Sequence, residues 1–452
     1  MTLPTAHDLL ARLDRGETTA LALCEAAITA IEAADGAINA VVVRDFDRAR
    51  EQARAADAAR ARGERRPLLG LPITVKEAFD VAGLATTWGI SAFADHRARH
   101  DAVAVARLKD AGAVLLGKTN VATALADWQS VNPLFGRTRH PLDPARTPGG
   151  SSGGSAAALA AGFVALELGS DIGGSIRVPS AFCGLYGHKP SLGVIPSRGH
   201  AFPGSHDRPN LFNVVGPMAR DADDLALAFG LLAGADAPHA TGWQLALPAP
   251  RQQDLSGLRV LVLERHPGCA TDAVIRAGVA RVADALAEGG AQVLHRHPQL
   301  PDLLAGQATY ETLLMAITTR GMPDAQALSA AQWLDGLDAR DRARAQWQQL
   351  FEAVDLVVAP AFGCAAFAHV TDRDWSARRL LIDGRPTRYD EQLAWPGVAT
   401  FAGLPATVVP AGQTPEGLPV GVQLIGPFLE DRTPLQVARL LARADAGAAP
   451  RD

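Results

Sequence analysis

The run PGGSSGGSAAALAAGFVALELG, Pro148 to Gly169, constrains this chain's fold more than any other stretch. Its first half, Gly149 to Ser155, has the composition of a flexible linker. A linker joins polar segments, whereas SAAALAAGFVALELG consists of helix formers with an apolar face that must be buried. The serines therefore fall at a helix N-terminus, where free backbone N–H groups and the helix dipole favour negative charge. Capping by Ser151, Ser152 or Ser155 is the plain reading, but one cap needs one serine. The many glycines imply a backbone bent into conformations that other residues adopt at a cost.

Strand and helix signals alternate around this run. GLPITVKEAFDVAG (70–83) reads as a buried strand entering a loop, with Lys76 at the strand's end, and 101–121 as a helix followed by a short apolar strand. The pattern predicts an α/β fold, a largely buried sheet with helices packed on it. Residues 5–62 read as helical. From 241 to 390 the texture changes to a strand at 258–264, a helix near 272–288 and further helical segments. Strands at 404–412 and 418–427 and a helix at 434–444 close the chain. We expect one domain over 1–452: an N-terminal helical segment (1–65), a core (70–235), a variable, largely helical subregion (241–390) and a C-terminal return to the core (396–452).

Composition narrows the ligand. A formal charge of −5 with 20% charged residues gives no basic footprint for nucleic acid or anionic lipid, so a small neutral or apolar ligand fits better. The N-terminus carries charges where a signal peptide needs an apolar core, and the longest apolar run, near 156–166, is too short to span a bilayer, which predicts a cytoplasmic protein with no membrane association. Cys24, Cys183, Cys269 and Cys364 are widely spaced, so neither a zinc site nor a disulfide framework is implied. Among 43 basic residues only Lys76, Lys109, Lys118 and Lys189 are lysines. In a chain this biased toward arginine, which stays protonated, each lysine raises the question of a base.

Two motif matches fail on context. Gly150 to Gly154 fits GxSxG, the nucleophile elbow, but that motif needs a strand directly before it, and Pro141, Pro144 and Pro148 preclude one. GAVLLGKT, Gly112 to Thr119, fits the phosphate-binding loop, but its spacer is itself the strand and follows a helix, the wrong order of elements. A third segment, GSDIGGSIRVPS (169–180), leaves an apolar strand in a tight turn. Its paired glycines let successive N–H groups converge as an oxyanion hole requires, with Ser175 beside them to attack a carbonyl carbon; an ordinary glycine turn is the alternative. A serine nucleophile needs a base. None of the twelve histidines lies in these segments, whereas a buried lysine loses solvation and becomes a base near neutrality, so Lys76 is the candidate. A lysine snorkelling at a strand end is the alternative.

Together LPITVKEAFDVAG, GKTN, NPLFGRTRHPLDPARTPGGSSGGSAAALAAG, LGSDIGGSIRVPSAFCGLYGHKPS, GPMARDADDLA and AGLPATVVPAG resemble the amidase signature family of serine hydrolases in order and spacing. The likeness is dense over about 70–235, returns near 396–427 and is weak between. It implies the amidase signature fold, a large mixed β-sheet core sandwiched by α-helices. It also implies a Ser–cisSer–Lys triad with Ser175 as nucleophile, Ser151 as the bridging serine after a cis Gly150–Ser151 peptide, and Lys76 as base. The N–H groups of Ile172, Gly173, Gly174 and Ser175 would hold the oxyanion. Asp171 and Arg177 would brace the turn, and Ser152 would add a hydrogen bond. The chemistry implied needs neither metal nor organic cofactor.

Within that family the chain departs from the glutaminase subunit of tRNA-dependent amidotransferases. Thr123 and Ala124 stand where an acidic residue and Phe often do, and RYDEQLAWPGVATF (388–401) lacks the polar pattern expected for glutamine. The expectation is a free-standing amidase, monomer or homodimer, acting on small aryl or alkyl amides and by extension esters or carbamates. Its apolar pocket would be lined by Trp128, Gln129, Leu134 and Phe135. A non-catalytic scaffold and a glutaminase subunit are the alternatives; a scaffold should have lost Lys76, Ser151 or Ser175, and all three are present.

Overall fold

The computed structural model describes residues 3–205, 210–320, 325, 327–372 and 374–448. Its centre is an eleven-stranded mixed sheet. In chain order the strands are β1 (Val41–Arg44), β2 (Pro72–Lys76), β3 (Val114–Thr119), the short hairpin β4 (Val131–Asn132) and β5 (Gly136–Arg137), β6 (Leu166–Asp171), β7 (Tyr186–Lys189) and β8 (Val214–Ala219). The second half adds β9 (Arg259–Val262), β10 (Gln292–Leu294), β11 (Leu356–Pro360), a hairpin β12 (Arg379–Ile382) and β13 (Arg385–Arg388), then β14 (Ala406–Gln413) and β15 (Pro419–Ile425). The large sheet runs β1-β3-β2-β6-β8-β7-β14-β15-β11-β9-β10. β2 is parallel to both β3 and β6, while β6 is antiparallel to β8.

Both faces are covered, which is why these strands read as apolar runs rather than as alternating patterns. Leu115 joins Ile73, Val75 and Leu168 in a core on one face, and its neighbours Val114 and Leu116 join Ile28, Leu159 and Met218 in a core on the other. The α/β class and the sheet between helical layers are as expected.

The N-terminal segment is not continuous helix. Thr5 caps the helix Ala6–Asp14 with a capping box through Asp8, and Thr19 caps Ala20–Ile38. Asn39, at φ +61°, ends the second helix, and Val41–Arg44 forms the edge strand β1 before the helix Phe46–Ala61 begins. Three consecutive valines favour strand there, a signal lost among the helix formers around it. The subregion 241–390, expected to be largely helical, also supplies β9, β10 and β11 to the same sheet.

The apparent phosphate loop resolves as strand β3 with its spacer inside the sheet. Its second glycine, Gly117, has φ +151° where the β2–β3 register shifts, and a Cβ there would stand 2.1 Å from the Val43 carbonyl oxygen. This glycine is needed for a bulged strand to pass its neighbour.

Candidate active site

Because β2 and β6 are parallel neighbours, their carboxyl ends emerge side by side, bringing Lys76 and Asp171 to one edge of the sheet. Lys76 is fully buried, and its Nζ lies 2.7 Å from Ser151 Oγ and 2.9 Å from Ser170 Oγ. Burial lowers its pKa to about 7, with the carboxyl groups of Asp171 and Glu167 pulling the other way. A neutral amine is therefore available near neutral pH.

The glycine–serine run delivers Ser151 to that amine. The Gly150–Ser151 peptide is cis. A Cβ on Gly150 would meet the Asp127 carbonyl oxygen at 2.6 Å, so the backbone packs there at a distance only glycine allows. Ser152 and Ser155 do not cap the helix Gly153–Ala160 with their side chains. Ser152 Oγ donates to the Ser170 carbonyl at 3.4 Å and its N–H to the Ser175 carbonyl at 3.3 Å, while Ser155 Oγ pairs with Thr119 Oγ1 at 2.8 Å.

Beyond β6 the turn Asp171–Ser175 is braced from below. Arg177 and Asp171 are both fully buried and doubly bonded, Nε to Oδ2 at 3.0 Å and Nη2 to Oδ1 at 2.9 Å. Arg177 also donates to the Pro396 carbonyl, Gln423 Oε1 and Thr400 Oγ1 at 2.7–2.9 Å, which satisfies all five guanidinium donors. Burial pushes the Asp171 carboxyl up, but the Arg177 charge and hydrogen bonds outweigh it and hold the pKa at about 2. Asp171 also accepts the N–H groups of Gly174 at 2.9 Å and Ile176 at 3.1 Å. Of the four N–H groups expected to hold an oxyanion, that of Gly174 is engaged by the carboxylate. The N–H groups of Ile172, Gly173 and Ser175 have no acceptor among the described residues.

Two aromatic residues hold the carbonyls of the same turn. Trp128 Nε1 donates to the Gly173 carbonyl at 2.8 Å, and Tyr310 Oη to the Ile172 carbonyl at 2.7 Å. Fixing these oxygens fixes which way the intervening N–H groups point. Tyr310 lies on the helix Leu303–Thr318, where the sequence offered only an aromatic in an amphipathic pattern. Ser175 keeps 5% exposure against none for Lys76, so the serine is the member that solvent reaches. Among the described residues Ser175 Oγ makes no hydrogen bond, and Ser151 and Ser175 are joined only through the backbone of Ser152.

The four residues expected to line a pocket separate. Trp128 reaches the turn and packs on Phe362, Trp375 and Tyr389 with centroids 4.9–5.1 Å apart. Gln129 instead clamps the Val370 backbone, Nε2 donating at 3.1 Å and Oε1 accepting at 2.9 Å. Leu134 and Phe135 are half-buried at the β4–β5 turn, their N–H groups on Asn132 Oδ1. Of the other lysines, Lys118 and Lys189 are also buried, at about 8 and 7 through desolvation, and their ammonium groups serve Thr86 Oγ1 and the Leu404 carbonyl. No helix among the described residues is long and apolar enough to cross a membrane.

The amidase family model matches residues 22–320 and 304–435. The chain is 35% identical to a glutamyl-tRNA(Gln) amidotransferase subunit of Roseiflexus castenholzii, over 97% of this chain and 94% of that one. It is 36% identical to AtzE, a 1-carboxybiuret hydrolase subunit of a Pseudomonas species, over 96% and 97%. A solved bacterial aryl acylamidase of the amidase signature family superposes with a TM-score of 0.85 at 26% identity, covering 98% of this chain and 96% of that one.

Proposed function

Because this chain belongs to the amidase family of amide-hydrolysing enzymes, we propose that Ser175 attacks the substrate carbonyl with Ser151 and Lys76 as its proton relay. The observation that carries the reading is a fully buried lysine, held near neutrality by burial, 2.7 Å from Ser151 Oγ. Rotation of the Ser175 side chain toward Ser151 completes the path. Ser151 then gives its proton to Lys76 as it takes the one from Ser175, and Ser175 bonds to the carbonyl carbon. The free N–H groups of Ile172, Gly173 and Ser175 meet the developing oxyanion, an interaction commonly worth a few kcal/mol. The proton returns along the relay to the leaving amine, and water releases the acyl group by the same steps in reverse.

We further propose that the chain works as the amide-hydrolysing subunit of a larger enzyme, releasing ammonia from a small carboxamide such as glutamine. Relatives of near full-length overlap named as subunits support this over the free-standing enzyme expected from the sequence. The aryl acylamidase likeness and the aromatic cluster around Trp128 favour the second reading, a hydrolase of aryl amides. Purified chain incubated with glutamine or acetanilide separates them: faster ammonia release supports the first, faster aniline release the second. Undiminished turnover by Ser175→Ala would overturn the mechanism common to both.

A further inference from the structure

The segment 190–213 between β7 and β8 carries His200, a residue the relay does not use. Strands β2, β6 and β8 are consecutive in the sheet, and this segment is tied at both sides of β6. On the β2 side, the Gly199 carbonyl accepts the Asp80 N–H at 2.8 Å, four residues beyond Lys76. On the β8 side, Asp171, the last residue of β6, pairs with Val214, the residue that follows Asn213. Asn213 Nδ2 lies 3.4 Å from His200 Nδ1. The imidazole therefore lies by the carboxyl end of β2 and the start of β8, close enough to Lys76 to feel its charge.

An amide NH2 only donates, so Nδ1 accepts and the imidazole proton sits on Nε2. That N–H is buried and has no partner among the described residues. Burial, then the nearby Lys76 charge, lowers the His200 pKa to about 3, so the ring stays neutral and acts as a donor. The ring lies against Phe79 and Trp88, with centroids 4.7 and 5.2 Å away. Trp88 is itself held at φ +53°, an uncommon conformation for a bulky side chain, with its N–H on Glu77 Oε2 at 3.0 Å and its Nε1 on the Ala78 carbonyl at 3.2 Å. A buried donor without an acceptor, between aromatic faces and beside the catalytic lysine, is suited to recognise an acceptor on a bound molecule.

We infer that His200 is a specificity-determining residue whose Nε2–H donates to an oxygen acceptor on the acyl portion of the substrate, a carboxylate or a second carbonyl beyond the scissile one. The inference rests on the reading of Ser175 as the acylated residue. Its test uses 4-nitrophenyl esters, which report acylation as a burst of nitrophenolate whatever the natural leaving group. The butyrate ester has no oxygen beyond the reacting carbonyl, the levulinate ester adds a ketone, and the mono-succinate ester adds a carboxylate.

Wild type is expected to acylate faster with levulinate or succinate than with butyrate, by about fivefold for one well-placed neutral donor, and the arm that gains identifies the acceptor. In His200→Ala this ratio falls to near one, and in His200→Gln, which keeps an N–H donor, part of it remains. His200→Met fills the same space without a donor and replaces His200→Ala should that variant not fold. No wild-type burst, or a burst that persists in Ser175→Ala, overturns the nucleophile assignment and with it this inference. A Ser175-dependent burst with no preference in wild type, or with the same ratio in the His200 variants, overturns the inference alone.

Discussion

At the residue scale, the chemistry turns on how three kinds of atom are desolvated. Lys76 shares its burial with Lys118 and Lys189, and all three are depressed for the same cause. Only Lys76 has serine hydroxyls within reach; Lys118 and Lys189 spend their donors mainly on backbone carbonyls. A base must be neutral to accept a proton, so kcat/KM should rise with pH through a midpoint near 7 as the Lys76 ammonium is lost. A Lys76→Arg enzyme, whose guanidinium stays charged, should lose about 100-fold or more at every pH while Ser175→Ala loses the burst altogether. A pH–rate profile with no acid limb between 6 and 8 would remove Lys76 from the relay. Much of this was legible from residue types alone, because four lysines among many arginines and two glycine–serine clusters are rare events. That the Asp171 carboxylate withdraws the Gly174 N–H was not, since it depends on a side-chain rotamer three residues away. His200 was equally hidden: it follows no strand or motif, and only the fold brings it beside Phe79 and within reach of the Lys76 charge.

At the element scale, the sheet order does what no single motif reveals. Lys76 and Ser175 are far apart in the chain and converge because β2 and β6 are parallel neighbours. The strands beside the glycine–serine motifs could be read directly, as each is an apolar run ended by glycine. Edge strands could not: β1 lies within a helix-forming context, and β10, with a mostly exposed Gln292–Leu294, has no apolar pattern to read. Gly117 shows how a misleading motif arises from real geometry. Its place in a phosphate-loop pattern is coincidental, while its bulge against Val43 is structural. Gly117→Ala should therefore destabilise the fold by about 3 kcal/mol or more, read as a lower denaturation midpoint. A variant as stable as wild type would mean that β1 detaches freely from β3.

At the scale of the whole molecule, residues 241–390, where the resemblance is weakest, still take part in the site. Their strands extend the same sheet, and Tyr310 reaches back to the Ile172 carbonyl. The last quarter reaches further in: Pro396, Thr400 and Gln423 receive three of the five hydrogens of Arg177. A chain ending after residue 395 keeps Lys76, Ser151 and Ser175, and the Asp171–Arg177 pair, but removes β14 and β15 from the middle of the sheet and leaves three buried Arg177 hydrogens without acceptors, each a cost of about 1–3 kcal/mol. Such a fragment should give no nitrophenolate burst, and adding the missing segment as a separate peptide should restore part of it; a full burst from the fragment would show that the turn stands without its far support. The arginine thus works as a proofreader of completeness. During synthesis Ser175 emerges long before the acceptors of Arg177 do, so the turn that carries it gains its full support only once the closing strands have left the ribosome.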